Sequence, residues 1–451
     1  MSRDGSCCRE FTRSQALHAA AAEAGRGLPH IETGMPVPAG TGMSRRSLLL
    51  KGAGLALAVY GSRLSLPALD AGIAQAAVPG RILVSVFLDG GLDAMSLLAP
   101  TGDPRYRKLR PHLALKKSRT LPFSEDERLR WHPRAKKLAR LHREGKVTVF
   151  PAISYSGPDQ SHFTSRHFYE IGEVEVGSRT GWLGRYIDLA GDDENPIQGL
   201  SLDHALSPVL ATATKPVAAV GTLTGYELTS ELSEPINTEL FTAFERLGRL
   251  PADSPGLNQL RRATAQTSQL RHDLSGLGEI TSPVEYPDYP MAKRLRGLAS
   301  YIDRGLPIRV ATLGGSGGYD THAGQAATLD HNIERTADSL FAFQRDLEQR
   351  GLADRVLVQV WSEFGRRPEE NGSGGTDHGA AGCALVIGSR ASGRMVGEFP
   401  GLGKLDRLEN LRHTSDFRAM YCSLLEQWFD QDAAAIIPNA DRFDRPVLVK
   451  S

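Results

Sequence analysis

The fold of this chain is narrowed most by short, almost wholly apolar runs that alternate with amphipathic helical stretches. Residues 82–88, Ile82-Leu83-Val84-Ser85-Val86-Phe87-Leu88, carry Ser85 as their only polar side chain and stop at Asp89-Gly90-Gly91. A strand with one wet face alternates polar and apolar residues. A run that is apolar throughout reads as a strand buried on both faces, here followed by a tight loop. Residues 146–150, 308–313, 356–361 and 383–387 read the same way. Between them lie helical stripes. Phe417, Met420, Tyr421, Leu424, Leu425 and Trp428 recur at i, i+3, i+4 and i+7, and Ile333, Ala337, Leu340, Phe341 and Leu347 form a second stripe. Strands alternating with helices predict an α/β fold with a mostly parallel sheet and helices on both faces. Residues 235–280 break the alternation and read as a helical insertion that covers the site.

The N-terminal region carries a different signal. Ser44-Arg45-Arg46-Ser47-Leu48-Leu49-Leu50-Lys51 pairs two arginines with an apolar start, and a mildly apolar stretch, 52–60, follows. That stretch is shorter than the roughly 20 apolar residues a stable membrane anchor needs. Ala74-Gln75-Ala76 offers small residues for cleavage. Residues 43–77 therefore read as a twin-arginine export signal, with the twin-arginine translocase as partner during export and a periplasmic or secreted destination. Met43 stands directly before the motif, so residues 1–42 read as a non-native or disordered leader, and 78–451 as the working domain.

Charge removes one class of partner. Lys plus Arg total 53 and Asp plus Glu 52, so no basic field favours nucleic acid. Cys383 and Cys422 lie in apolar runs and read as buried thiols, with a disulfide as the alternative in an oxidising compartment.

Ligands of open α/β sheets bind beyond the carboxyl ends of the strands, and acidic and imidazole residues recur at those ends here. Run 82–88 leads to Asp89. Run 308–313 leads to Asp320-Thr321-His322. Run 356–361 leads to Ser362-Glu363-Phe364-Gly365-Arg366. A glycine-rich loop then delivers Asp377-His378-Gly379 just before run 383–387. Mixed carboxylate and imidazole sets suit zinc or manganese, and carboxylates alone suit magnesium or calcium. Asp89, Asp320, His322, Glu363, Asp377 and His378 are thus the expected ligands of one or two divalent metal ions. Gln160-Ser161-His162-Phe163 opens a helix after run 146–150. Ser161 is there either a plain N-cap or a nucleophile or orienter for an anion at the helix N-terminus. His162 binds metal or donates a hydrogen bond to substrate. Arg366 and Arg367 either clamp an anionic group or sit in a solvated loop.

Phe87-Leu88-Asp89-Gly90-Gly91-Leu92-Asp93, Ser161-His162-Phe163, Asp320-Thr321-His322, Ser362-Glu363-Phe364-Gly365-Arg366 and Gly375-Thr376-Asp377-His378-Gly379, with the paired arginines, resemble the exported bacterial domain-of-unknown-function family 1501. That family is similar to the alkaline phosphatase and sulfatase superfamily. The resemblance implies an alkaline phosphatase-like, two-metal hydrolase core. In it Asp89 matches the first-strand metal aspartate, Asp320 and His322 a middle Asp/His pair, Asp377-His378-Gly379 a later histidine loop, and Ser161 the nucleophile region. The chain departs from the superfamily pattern where Glu363-Phe364 replaces an Asp-His pair and where the Asp320-to-His322 spacing is tight. It also lacks a Cys-x-Pro-x-Arg sulfatase signature.

Two functions follow as expectations. One is an exported metal-dependent hydrolase of small phosphate or sulfate esters, with Ser161 and His162 catalytic. The other is a non-catalytic exported binding or assembly protein. Export has its own test: replacing Arg45 and Arg46 together with lysine should leave the protein in the cytoplasm. Undiminished periplasmic accumulation, read by fractionation, would remove the export reading.

Overall fold

A computed structural model describes residues 57–60, 80–220 except 176, 194 and 204, 280–450, and positions 239, 242, 243, 246–251 and 261. Most of the expected insertion at 235–280, and the export segment apart from a strand at Leu57–Tyr60, lie outside the described residues. The chain forms two compact units. In one, Val217–Val220 pairs antiparallel with Leu57–Tyr60 and parallel with Gly199–Ser201. The other takes residues 80–182, 281–305 and 309–450 and contains every expected site residue.

In this larger unit the elements run β1 (Ile82–Phe87), α1 (Lys136–Arg143), β2 (Val147–Ser154), α2 (His162–Ile171), α3 (Pro290–Asp303), β3 (Val310–Gly314), α4 (Gln325–Gln349), β4 (Val356–Trp361), β5 (Gly382–Ile387), β6 (Ser415–Asp416) and α5 (Phe417–Ser423). The sheet order is β3-β1-β4-β5-β2-β6. β1 is parallel to β3 and β4, β6 is parallel to β2, and β5 is antiparallel to both its neighbours. The fold is thus the expected α/β type with a mostly parallel sheet. β1 and β4, each apolar apart from one side chain, lie inside the sheet, as burial on two faces requires.

β5 is the departure, because its sequence reads like the parallel runs. A parallel neighbour needs a crossover of a dozen or more residues, usually a helix. After β4 the chain instead folds back on itself: Gly365 N donates to Ala380 O (3.1 Å), Gly379 N to Gly365 O (2.9 Å) and Arg367 N to Asp377 O (2.9 Å). β5 therefore runs opposite to β4. Its amino end, with the loop before it, lies at the edge where the other strands have their carboxyl ends.

Helices cover both faces. Successive strand residues point to opposite sides. Val360 packs with Leu385, Leu138 of α1 and Ile333 of α4 around a small apolar cavity. Its neighbour Trp361 stacks on Tyr169 of α2 at 5.6 Å, and Tyr169 stacks on Phe417 of α5 at 4.1 Å. The α5 stripe is buried as expected, and Leu424–Trp428 continues it as a π turn. The α4 stripe loses Phe341, which lies only partly buried against Lys137, Arg140 and Arg345. Cys383 and Cys422 are free and buried, so the disulfide alternative is not formed. Among the described residues no helix is long and apolar enough to cross a membrane.

A buried ion pair braces the loops above the sheet. Arg110 Nη1 and Nη2 donate to Asp93 Oδ2 and Oδ1 at 2.5 and 2.9 Å, with both side chains essentially unexposed. Arg110 also donates to the carbonyls of Arg367 and Pro368, at 2.8 Å each. It thereby ties the loop after β1 to the loop after β4. Burial opposes ionisation of Asp93, but the charge and hydrogen bonds of Arg110 outweigh it and hold the carboxyl below its usual range. Arg110→Ala leaves that carboxylate buried without its partner and should cost about 3–5 kcal/mol in denaturant unfolding. Because the folded pKa is depressed, the pair's contribution is complete above the unfolded value of about 3.9 and is lost as pH falls through the lower folded value. The stability gap between wild type and variant should narrow as pH falls, beginning where the unpartnered Asp93 of the variant takes up a proton and ending below the depressed wild-type value.

Candidate metal centre

Five chain segments meet at the edge where β1, β2, β3 and β4 end and β5 begins. The turn after β1 brings Asp89, Gly90 and Gly91. The segment after β2 brings Gln160, Ser161 and His162, and the loop after β3 brings Asp320 and His322. Glu363 and Arg366 follow β4, and Asp377 and His378 precede β5. The turn needs glycine: Gly90 has φ +110°, and a Cβ there would stand 2.3 Å from Asp320 N.

The donor atoms of His162, Asp320 and His378 all lie within 4.8 Å of one another. Asp320 Oδ1 stands 3.5 Å from His162 Nε2 and 3.3 Å from His378 Nε2, and those two nitrogens are 3.0 Å apart. His322 Nε2 joins at 3.1 Å from Asp320 Oδ1 and 3.0 Å from His378 Nε2. The set opens outward in one direction. The His162 side chain is wholly buried, those of His378 and Asp320 are 12% and 17% exposed, and that of His322 is 34% exposed.

The opposite ring nitrogens decide what these atoms can do. His162 Nδ1 lies 2.7 Å from Glu363 Oε1, His322 Nδ1 3.2 Å from Asp377 Oδ1, and His378 Nδ1 2.8 Å from Gln160 O. Carboxylates and carbonyls only accept, so each Nδ1 is the N–H donor. In a neutral ring this leaves an unprotonated Nε2, and here three Nε2 lone pairs converge beside a carboxylate oxygen. Such an arrangement fits a cation among the lone pairs, and Arg366 Nη1 already lies 3.4 Å from His322 Nε2. Charging all three rings instead would set them against one another and against Arg366. Tetrahedral metal–nitrogen bonds of about 2.0–2.1 Å imply ligand separations of about 3.3 Å, which the His162–Asp320–His378 set approaches. The residues present therefore fit a divalent metal ion, with donors that imidazole-preferring metals favour.

Burial works against ionisation of Asp320, but its contacts with His162, His322 and His378 and the charge of Arg366 outweigh it and hold the carboxyl well below the usual range; with the Nε2 atoms bare, a cation among them takes over the role of a ring proton. Burial likewise opposes ionisation of Glu363, and the His162 contact overcomes it. Asp377 is lowered too, by Asn371 and His322 against burial.

The remaining expected residues fall elsewhere around the set. Glu363 is engaged at both oxygens: Oε1 accepts from Gly90 N (2.9 Å) and His162 Nδ1, and Oε2 from Gly91 N (3.1 Å), with Ser362 Oγ, 2.9 Å from Oε2, sharing its proton with Leu88 O at 2.6 Å. Asp377 meets the set through His322 Nδ1. Asp89 is half-buried outside the tight group and interacts electrostatically with Arg166. Ser161 stands at the N-terminus of α2, and its side chain makes no capping bond. Arg366 is neither solvated nor an anion clamp. Its side chain is wholly buried, pairs with Asp320, and donates to the carbonyls of Gly90, Gly91, Thr376 and Tyr319.

Two contributions were not read from the sequence. Gln160 acts through its main-chain oxygen, which no residue type advertises. Asn371 donates to His322 O (2.9 Å) and Asp377 Oδ1 (3.1 Å) while its own oxygen accepts from Ser373 N and Gly375 N. Asn-Gly at the head of a glycine-rich turn was the available signal. Glu363→Gln replaces an acceptor for two backbone N–H groups and a ring N–H with a partial donor. It should lower affinity for zinc by about 10–100-fold in chelator competition while the fold is retained. Unchanged affinity would show that Glu363 does not orient His162.

Comparison with known proteins adds a family. No curated protein matches. Similar solved structures include the PsFucS1 sulfatase from Pseudoalteromonas sp., 9% identical, covering 89% of this chain and 77% of that one at a TM-score of 0.34. The soluble domain of lipooligosaccharide phosphoethanolamine transferase A from Neisseria meningitidis is 13% identical, with 82% and 95% covered at 0.33. The phosphonate monoester hydrolase of Agrobacterium radiobacter is 11% identical, with 77% and 74% covered at 0.30. Scores of this size leave the functional reading to the site itself. The model of a family described as a protein of unknown function (DUF1501) matches residues 154–431, more than half of the chain and every residue of the metal-fitting set, and the chain belongs to that family.

Proposed function

We propose that this protein is an exported metal-dependent hydrolase of phosphate or sulfate esters. The observation that carries the reading is the convergence of three Nε2 atoms on Asp320 Oδ1, each ring fixed by an acceptor at its Nδ1. A bound divalent ion supplies a positive charge that polarises an anionic ester at neutral pH. His162, Asp320 and His378 would hold it from the buried side, with His322 toward solvent.

The chain's own groups then have distinct tasks. Glu363 and Asp377 keep the proton of their histidine on Nδ1. The exposed flank at His322 is the side from which substrate approaches. Ser161 is assigned to attack or orient the ester: its hydroxyl is not used as a cap, it precedes His162 directly, and the first turn of α2 presents backbone N–H groups that favour an anion. His162 is here a ligand rather than a catalytic acid. The periplasmic or external destination rests on the paired arginines at 45 and 46.

One observation favours the binding-protein alternative. Arg366 is buried and committed to main-chain carbonyls, so it is not available to hold a substrate anion. Protein from the exported fraction should contain a transition metal and turn over members of a panel of aryl phosphates and sulfates. His378→Ala should lose the metal and lower turnover by more than about 100-fold, since loss of a ligand exceeds the effect of losing an outer partner. Metal without turnover across the panel would favour the binding protein, and absence of metal from folded protein would remove both.

A further inference from the structure

We propose that the centre takes a single imidazole-preferring cation, and that Arg366 is the fixed second positive charge of the site. The inference rests on the metal reading above and goes beyond it in number and kind of ion.

The lone pairs limit the number. Six residues are candidate ligands from the sequence, enough for two ions. Glu363 has about four acceptor positions as a carboxylate: Gly90 N, Gly91 N and His162 Nδ1 take three, and Ser362 Oγ, whose one proton also reaches Leu88 O at 2.6 Å, stands at the fourth. Both positions on Oε1, the oxygen that meets His162, are taken. Asp377 Oδ1 accepts from His322 Nδ1 and Asn371 Nδ2. Asp89 lies outside the tight group, which leaves Asp320 and three imidazoles in mutual contact, a set for one ion.

Charge leads to the same number. Three carboxylates touch the set: Asp320 directly, Glu363 through His162 and Asp377 through His322. Arg366 touches Asp320 Oδ1, and its Nη1 lies 3.4 Å from His322 Nε2. Three negative charges against one positive leave two, which is what one divalent cation carries; Asp89 and Arg166, electrostatically paired outside the set, offset each other. A second divalent ion would leave the same surplus with the opposite sign beside His162 and Glu363, whose side chains are unexposed. The guanidinium also cannot swing away, because Gly90 O, Gly91 O and Thr376 O hold it.

Donor type sets the kind of ion. Three imidazole nitrogens and one carboxylate oxygen suit zinc and its transition-metal neighbours, whereas magnesium and calcium take oxygen ligands.

The test is to strip the whole protein of metal with a chelator, titrate it with zinc, and count retained ions by native mass spectrometry. One zinc per chain is expected, undisplaced by a hundredfold excess of magnesium or calcium. Two retained ions would overturn the proposal while leaving the hydrolase reading standing, as would equal retention of magnesium or calcium. No retained ion would overturn both. One retained zinc without turnover of any ester would uphold this proposal and remove the hydrolase. Arg366→Lys, which keeps the charge, should still retain one zinc. Arg366→Met, which removes it, should bind the ion at least tenfold more tightly or admit a second. Should Arg366→Met fail to fold, the wild-type count decides. A soluble Arg366→Met variant with unchanged stoichiometry and affinity would show that Arg366 only braces the loops.

Discussion

The site is organised around one buried carboxylate engaged at both of its oxygens. Glu363 gathers two main-chain N–H groups of the turn after β1, the hydroxyl of Ser362 and the Nδ1 proton of His162 at the head of α2. Those contacts join three segments far apart in the chain. An ionised carboxylate without exposure is costly to bury unless its lone pairs are met by donors, so this residue imposes a strict geometry on its neighbours. The turn can comply because Gly90 and Gly91 adopt positive φ and pass close to Asp320 and Phe364. Glu363 thus acts on the metal-fitting set through His162.

Strand direction is the second constraint. Had β5 run parallel to β4, the loop carrying Asp377 and His378 would emerge at the opposite edge of the sheet. The fold-back between Gly365 and Ala380 prevents that, and glycine permits it: a Cβ on Gly365 would meet Ala381 O at 1.9 Å. Arg366 then lies between the turn after β1 and the loop before β5, bonded to carbonyls of both. It neutralises part of the carboxylate charge that the histidines bring with them. Farther out, Arg110 and Asp93 hold the same pair of loops from the other side.

The chemistry that follows is that of a proton arrangement as much as of a ligand list. Each ring keeps its proton on the side away from the cluster because an acceptor waits there, and three different kinds of segment supply the acceptors: a strand end, a glycine-rich loop and a main-chain carbonyl. The gradient of exposure from His162 to His322 gives the set a closed side and an open side.

The sequence alone determined the five long strands, the stripes of α4 and α5, the start of α2 and the edge on which acidic and imidazole residues collect. Those depend on local periodicity and on where an apolar run stops, and both are carried by neighbouring residues. It also marked His322, Asp320 and His378 as members of one site. It did not determine the direction of β5, which depends on hydrogen bonds between residues on either side of a loop. It did not show that Phe341 leaves the core, because the guanidinium groups that meet it come from other turns and another helix. Above all, it could not divide the six candidate ligands into those that face a cation and those that hold a histidine. A carboxylate's role is set by which donors reach its lone pairs first, and only the packed chain brings Gly90, Gly91, Ser362 and His162 to Glu363.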